Sequence, residues 1–143
     1  MTCGEPHILH FSAGSSAFRL PGPPCAALGG GAGGYRQVDW HLDLKSGYRW
    51  DPSCSYMDIS IGHTRGADVK LPWELSRSHH LVALALDAAT GGPRDERARE
   101  VGLQVLDWVC ANPVRFGVNW RSAMDVAIRA ANWTWAVSLL GGE

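Results

Sequence analysis

The stretch Ser122–Leu140, SAMDVAIRAANWTWAVSLL, decides the fold class, because its spacing fits an α-helix that is buried on more than one side. Apolar residues three and four positions apart cover two adjacent faces, which is typical of a helix packed between neighbours. The first four residues match a capping box with Asp in place of Glu or Gln. We therefore predict a long helix that begins near Asn119 or Ser122 and ends at Gly141-Gly142.

Four polar residues of this helix fall on one line, since they are spaced by three, four and three positions: Ser122, Asp125, Arg129 and Asn132. Asp125 and Arg129 have the spacing of a helical ion pair. Three interpretations stay open: a solvent-facing edge, a buried ion pair that fixes neighbouring segments, or one wall of a polar cleft. The two structural interpretations are favoured, because most such pairs are structural.

Two more helices are predicted upstream. The first begins at Pro72, whose missing N–H costs nothing in a first turn, and ends at Thr90-Gly91-Gly92. Its apolar residues lie on two faces, so it is expected to pack on both sides. The second runs from about Asp95 to Ala111 and is stopped by Asn112-Pro113.

The residues before the helices are of two kinds. Residues 1–34 hold eight of the 17 glycines and four of the eight prolines, which predicts a flexible lead-in. Residues 35–71 mix aromatic and charged side chains and predict an ordered, irregular segment with at most short strands, such as Tyr56–Ile61. These rings either staple the segment onto the helices or line a sugar-binding surface. The first interpretation is favoured, because burial is the commoner use of aromatic residues.

Composition argues against several classes of protein. Thirteen basic against 14 acidic residues leave no basic excess for a nucleic-acid or anionic-membrane partner. No uninterrupted apolar run reaches about 18 residues, so no membrane span is predicted. The glycine run Gly29–Gly34 lacks the strand and helix that a dinucleotide-binding loop needs, and no other cofactor or hydrolase motif occurs.

The cysteine and histidine spacings predict no metal site. The four cysteines include no close pair: Cys3, Cys25, Cys54 and Cys110. The adjacent rings of His79 and His80 point about 100° apart on a helix, so they cannot hold one metal together. Unpaired thiols are favoured, although an exported chain would allow two disulfides in three pairings. The N-terminus has no clear export signal.

Three stretches of the chain resemble bacterial heparinase II/III-like proteins. The first is VDWHLD followed by KSGYRW, in residues 38–50, and the second is ADVKLPWELSR, residues 67–77. The third comprises DWVCANP, GVNW and AMDVAIRAANW, in residues 107–133. The resemblance covers about residues 25–142 in order. It departs from the family at Asp125, where Glu is usual, at Ser78, where an aromatic residue is common, and in a lengthened turn at residues 90–97.

The resemblance implies the first helices of an (α/α) toroid, which a β-sandwich domain would follow, in a lyase that cleaves uronate-containing polysaccharides by β-elimination. The expected fold is mainly α: a partial toroid of about three long helices within residues 35–143, preceded by the Gly/Pro- and aromatic-rich irregular segment. The family's catalytic Asn, His and Tyr elements come from later helices and the sandwich, so no catalytic residue is assigned and the chain alone is expected to be inactive. Three helices cannot close a ring. The chain is therefore expected to be marginally stable or self-associating without the remaining toroid and sandwich segments.

An acidic polysaccharide is the expected substrate, and the candidate residues for binding it lie on the first and third helices: Glu74, Arg77, Asn119, Trp120, Asp125 and Arg129. Arginine would hold a carboxylate or sulfate, and Trp120 would stack on a sugar face. Alternatively, Glu74 with Arg77, and Asp125 with Arg129, are ion pairs that tie helices together. A second function class also stays open: a non-catalytic helical module that binds a protein or glycan through its apolar faces. Family members usually act in the periplasm or outside the cell, but these residues assign neither a compartment nor a particular polysaccharide.

Overall fold

The computed structural model describes residues 34–62 and 66–141. This part of the chain is mainly helical and contains one 3₁₀ turn, Val118–Trp120, and four α-helices: α1, Lys70–Ser76; α2, His79–Ala89; α3, Arg94–Ala111; and α4, Ala123–Gly141. Apart from Gly34, the predicted flexible lead-in lies outside the described residues. Within them no helix is long and apolar enough to cross a membrane.

The two later helices begin and end close to the predicted positions. α3 begins with Asp95 and Glu96 in its first turn, where acidic side chains stabilise the helix dipole. It ends before Asn112-Pro113, as predicted. α4 begins at Ala123, directly after the predicted capping residue Ser122, and runs to Gly141.

The predicted first helix is wrong in one respect, because it is two helices. Ser78, between α1 and α2, has a left-handed backbone with φ 61° and ψ 31°. A left-handed residue cannot continue a right-handed helix, so the chain turns at Arg77 and Ser78. The hydroxyl of Ser78 accepts a hydrogen bond from the indole Nε1 of Trp133 on α4, at 3.1 Å. The break is therefore held by a residue 55 positions away, which local spacing cannot reveal.

α2 packs against both α3 and α4, as its two apolar faces predicted. The core of this three-helix unit is small and aliphatic: Leu81, Ala85, Val101 and Ala136. Small alanine side chains in this core allow the helices to pack closely, and Leu81, which is 1% exposed, is its largest buried member. Burial of such a leucine contributes about 2 kcal/mol.

The aromatic segment before the helices folds onto them without forming a strand among the described residues. Its pairing is by isolated bridges, such as those of Leu42 with Arg49 and Ser55 with Phe116, and Ile59 is also a single bridge residue, so no strand forms at the predicted Tyr56–Ile61. Trp40 and Trp50 are 1% and 4% exposed. These two rings are thus buried staples, as the favoured interpretation had it.

A second core forms where this segment meets the 3₁₀ turn. Its buried members are Trp50, Cys54, Ile59 and Val118. Trp73 of α1 packs against them and donates its indole N–H to the carbonyl of Val118 at 2.9 Å.

Cys54 and Cys110 are both disulfide-bonded, so the expectation of unpaired thiols is wrong at these two positions. Cys3 and Cys25 lie outside the described residues.

Candidate functional site

The polar line of α4 faces the break between α1 and α2. Asp125 and Arg129 are 1% and 3% exposed, so the line is not a solvent-facing edge at these positions. Asn132 donates its amide N–H to the carbonyl of Arg77 at 2.7 Å, and Arg129 Nη1 lies 3.5 Å from the carbonyl of Ser76. These carbonyls have lost their helical partners at the break and need others. The interpretation of a buried polar line that fixes neighbouring segments fits this arrangement.

The ion pairs differ from those expected along α4. Asp125 Oδ1 accepts a hydrogen bond from Nε of Arg77 at 2.5 Å, so its ion-pair partner is Arg77, directly after α1, and not Arg129. The second oxygen of Asp125 is buried and has no hydrogen-bond partner among the described residues. Arg77 also contacts Glu74 through Nη1, as the alternative interpretation predicted. The hydrogen bond to Asp125, with the charges of both carboxylates, raises the pKa of Arg77.

Arg129 is held by aromatic rings instead of an ion pair. Its guanidinium carbon lies 3.8 Å from the centroid of a Trp108 ring and 5.5 Å from that of Trp120. Nη2 lies 3.4 Å from the carbonyl oxygen of Asn119. Burial lowers the pKa of Arg129 to about 10, against the opposing charge of Asp125. The side chain therefore stays protonated at neutral pH and stabilises the site as a cation over two ring faces.

Three tryptophans form one cluster at this site and anchor the residues on either side of Arg77. Trp108 contacts Trp120 and Trp133 edge to face, with centroids 5.5 and 5.4 Å apart. Trp108 donates its indole N–H to the hydroxyl of Ser76 at 3.1 Å, and Trp133 does the same to Ser78. Both neighbours of Arg77 in the chain are therefore anchored through their side chains.

Asn119 and Trp120 link this cluster to the aromatic segment. Asn119, 1% exposed, donates to the carbonyl of Trp40 and to the side-chain oxygen of Asn112, both at 2.8 Å. Trp120 is half-buried and donates its indole N–H to the carbonyl of Asn112 at 3.3 Å.

All six sequence-predicted residues thus belong to one connected network, but they differ in access. Asn119, Asp125 and Arg129 are interior and would not meet a saccharide in this structure. Glu74, with 54% of its side chain exposed, and Arg77, with 17%, reach the surface. Trp120 is half-buried. The accessible part of the candidate site is therefore the Glu74–Arg77 pair, with partial access to Trp120.

A second polar cluster, which spacing did not predict, forms around Asp107 at the end of α3. Its Oδ2 accepts three hydrogen bonds from residues that lie 67 to 72 positions away: Tyr35 Oη at 2.9 Å, the backbone N–H of Val38 at 2.8 Å and Trp40 Nε1 at 3.3 Å. Burial and the contact with the Asp107 carboxylate raise the pKa of Tyr35. The resemblance includes Asp107 and Trp40 in separate stretches, but nothing local pairs them.

His41 lies beside this cluster as a buried neutral imidazole. Its Nε2 is 3.1 Å from the carbonyl oxygen of Ala111. A carbonyl only accepts, so Nε2 carries the hydrogen and Nδ1 is a bare acceptor. Within residues 34–62 and 66–141, Nδ1 is buried without a hydrogen-bond partner, and burial lowers the pKa of His41. The ring rests on the backbone of Gly117, where an added Cβ would lie 2.5 Å from a ring carbon.

A cleft of about 440 Å³ opens beside His41 and the end of α3. At this cleft, Arg49 Nε contacts both carboxylate oxygens of Asp39, at 2.8 and 3.1 Å, and both side chains are partly exposed. Within the described residues no group of three or more His, Cys, Asp or Glu side chains is placed to hold a metal ion.

Family models, curated proteins and solved structures were all compared with the chain, and none of them matches.

Proposed function

We propose that this chain forms the N-terminal helical part of an (α/α) toroid in a heparinase II/III-like polysaccharide lyase, where it binds acidic substrate and leaves the elimination to other segments. The observation that carries the proposal is how the three family-like stretches meet. Trp40 of the first bonds to Asp107 of the third, and Arg77 of the second bonds to Asp125 of the third. Residues that resemble one family thus form one network, which supports a common origin of these motifs.

The chemistry of β-elimination supports a binding role. The C5 proton of a uronate is too weakly acidic to be removed unless the neighbouring carboxylate is neutralised and a base and an acid are in place. His41 and Asn119, which have the right side-chain types, are each 1% exposed and are engaged with backbone carbonyls. In the described part of the chain these two side chains therefore connect backbone segments and are not placed to remove a proton or neutralise a substrate carboxylate.

Arg77 is the residue best placed to bind a uronate carboxylate. Its Nε is fixed by buried Asp125, while its other carboxylate partner, Glu74, is more than half exposed. An incoming carboxylate would therefore displace Glu74 and leave Asp125 in place, because the exposed ion pair is weak and the buried one is costly to break. Arginine suits this role, since its planar fork binds a carboxylate through two hydrogen bonds.

The test is binding of uronate-containing polysaccharides by the purified chain, measured by titration calorimetry. Arg77→Ala should weaken binding about tenfold, the usual effect of losing hydrogen bonds to a charged group. Arg97→Ala is the matched control, because Arg97 also pairs through Nε with a partly exposed aspartate, Asp87.

Glu74→Gln gives an independent check that does not disturb the buried pair. It removes the competing carboxylate, so affinity for the acidic polysaccharide should rise while affinity for a neutral one does not. Incubation with substrate should release no unsaturated product absorbing at 232 nm. Equal affinity of Arg77→Ala and the parent chain, or weaker binding by Glu74→Gln, would overturn the proposal.

The second candidate function is a non-catalytic helical module that binds a protein partner. The observation in its favour is the exposed apolar surface of α4, where Met124, Trp135 and Val137 are 60%, 63% and 65% exposed. Failure of every saccharide to bind, in a folded chain, would favour this candidate.

A further inference from the structure

The cleft at the end of α3 contains a partly exposed charged pair, Asp39 and Arg49, that keeps hydrogen-bonding groups for a ligand. Arg49 is bound to Asp39 through Nε, and its two terminal nitrogens donate no hydrogen bond to the described part of the chain. Asp39 Oδ2 accepts from Arg49 Nε alone among these residues, so it keeps a free lone pair. Half of the Arg49 side chain and 37% of the Asp39 side chain are exposed. The pair therefore offers donors and an acceptor side by side at an open surface.

The walls of the cleft are rigid and of mixed polarity. Val38 and Trp40 are tied to Asp107 through its Oδ2, and His41 is tied to the carbonyl of Ala111. Pro52 and Ala111 add apolar surface, and exposed Gln37 adds a side-chain amide. A volume of about 440 Å³ lies within the usual range of small-molecule sites.

The charges in the lining select the class of ligand. Among the described lining residues Arg49 is the one cation, against the two carboxylates of Asp39 and Asp107, and burial lowers the pKa of His41, which favours its neutral form. An anionic group would meet a net negative surface and would be repelled. Neutral neighbouring hydroxyl groups match the pair instead, since one hydroxyl can donate to Asp39 while the other accepts from Arg49.

We propose that the cleft between Gln37–His41, Arg49 and the end of α3 binds a neutral sugar ring through the Asp39–Arg49 pair. The choice of a sugar rests on the proposed function, whereas the preference for a neutral ligand rests on the charges of the cleft. The chain would then hold an acidic polymer in two ways, by a uronate at Arg77 and by an uncharged unit at Arg49.

The experiment is an amide and side-chain NMR titration of the whole chain with methyl glucoside, methyl galactoside and methyl mannoside, with glucuronate as the charged counterpart. At least one neutral glycoside should shift the signals of Gln37, Trp40 and the Arg49 side chain in a saturable way. Arg49→Ala and Asp39→Asn should each weaken that binding about tenfold. Both positions are partly exposed, and the spectrum itself reports whether each variant is folded.

Two controls separate this inference from the proposed function. Arg97→Ala and Glu74→Gln should leave the glycoside titration unchanged, because neither residue lines the cleft. The inference is overturned if none of the three glycosides binds saturably, if binding survives Arg49→Ala, or if glucuronate binds more tightly than its neutral counterpart. Glycoside binding here with no effect of Arg77→Ala on polysaccharide affinity would sustain the cleft and overturn the role of Arg77.

Discussion

At the residue scale, Arg129 shows how a buried cation is accommodated without an ion pair of its own. Two tryptophan faces and two backbone carbonyls surround it. Arg129→Ala should lower the free energy of unfolding by about 2–4 kcal/mol, because it leaves a cavity and two unsatisfied carbonyls. Arg129→Met should cost less than half as much, since it fills the space and removes the desolvation penalty. Urea denaturation measures both, and a Met variant less stable than the Ala variant would contradict this account.

Gly117 is required for a steric reason and a conformational one. Its backbone, at φ 80° and ψ 167°, is in a region that only glycine adopts readily, and it lies against the His41 ring. Gly117→Ala should lower stability by about 2–5 kcal/mol through strain and overpacking. Gly102 in α3 is the matched control, because no atom lies within 4 Å of an added Cβ. Gly102→Ala should raise stability by about 0.5–1 kcal/mol. In thermal denaturation, the melting temperature should fall for Gly117→Ala and rise for Gly102→Ala relative to the parent chain.

His41 makes stability depend on pH in a predictable direction. Burial lowers its pKa below the ordinary value of 6.5, so the folded chain resists protonation more than the unfolded chain does. The unfolded state then takes up the proton first, and stability is lost as pH falls below about 6.5. His41→Gln keeps a side-chain N–H near Ala111 and removes the titration. The free energy of unfolding, measured by denaturation at pH 7.5 and 5.5, should differ less between the two pH values for this variant than for the parent chain. An equal difference in the two proteins would show that another group causes the pH dependence.

Asp43 acts in a separate, more acidic range. Its carboxylate accepts hydrogen bonds from the Ser46 hydroxyl and from the backbone N–H groups of Asp68, Lys45 and Ser46, which lower its pKa to about 2. Stability from this group is present above its ordinary pKa of 3.8 and is lost between that value and about 2. Acid unfolding due to Asp43 is therefore separated from the effect of His41.

At the scale of the element, the break between α1 and α2 depends on Ser78. Two effects compete there. The left-handed backbone is strained for serine, whereas the serine hydroxyl accepts the hydrogen bond of the Trp133 indole N–H. Ser78→Ala keeps the strain and leaves the indole N–H unpaired, so it should cost about 1–3 kcal/mol. Ser78→Gly relieves about 1 kcal/mol of strain and should cost less. Guanidinium denaturation distinguishes the two effects. An Ala variant as stable as the Gly variant would show that the left-handed strain contributes nothing, and an Ala variant as stable as the parent chain would show the same of the hydroxyl.

The helices could be predicted from the sequence because their signals are local. Pro72, Gly91-Gly92 and Pro113 mark boundaries, and the apolar spacing of α4 predicts packing on several sides. The partner of Asp125 could not be predicted, since Arg77 and Arg129 are equally suitable by chemistry and differ only in tertiary position. For the same reason the Asp107 cluster was missed, because each of its donors lies more than 60 residues away.

At the scale of the whole molecule, two small cores are joined by buried polar contacts and by the ring contact between Trp108 and Trp120. One core lies among α2, α3 and α4, and the other lies between the aromatic segment and the 3₁₀ turn. Asn119 bridges the regions by donating to the side chain of Asn112 after α3, and Ser76 does so by accepting from Trp108. Buried polar bridges of this kind specify one arrangement but add little net stability. The described part of the chain is therefore expected to unfold at moderate denaturant concentration.

The exposed surface of α4 should govern how the molecule behaves in solution. From Ala130 to Leu140 the helix has no charged residue. Met124 and Trp135, eleven residues apart, lie along one side of it, and each is at least 60% exposed. Contiguous apolar surface of this kind promotes association.

We expect the chain to bind a hydrophobic dye and to self-associate with increasing concentration in light-scattering measurements. Trp135→Lys should reduce both effects at unchanged stability, whereas Ala83→Lys, at an exposed position on α2, should reduce neither. A chain that stays monomeric at all concentrations without binding dye would mean that this surface is covered.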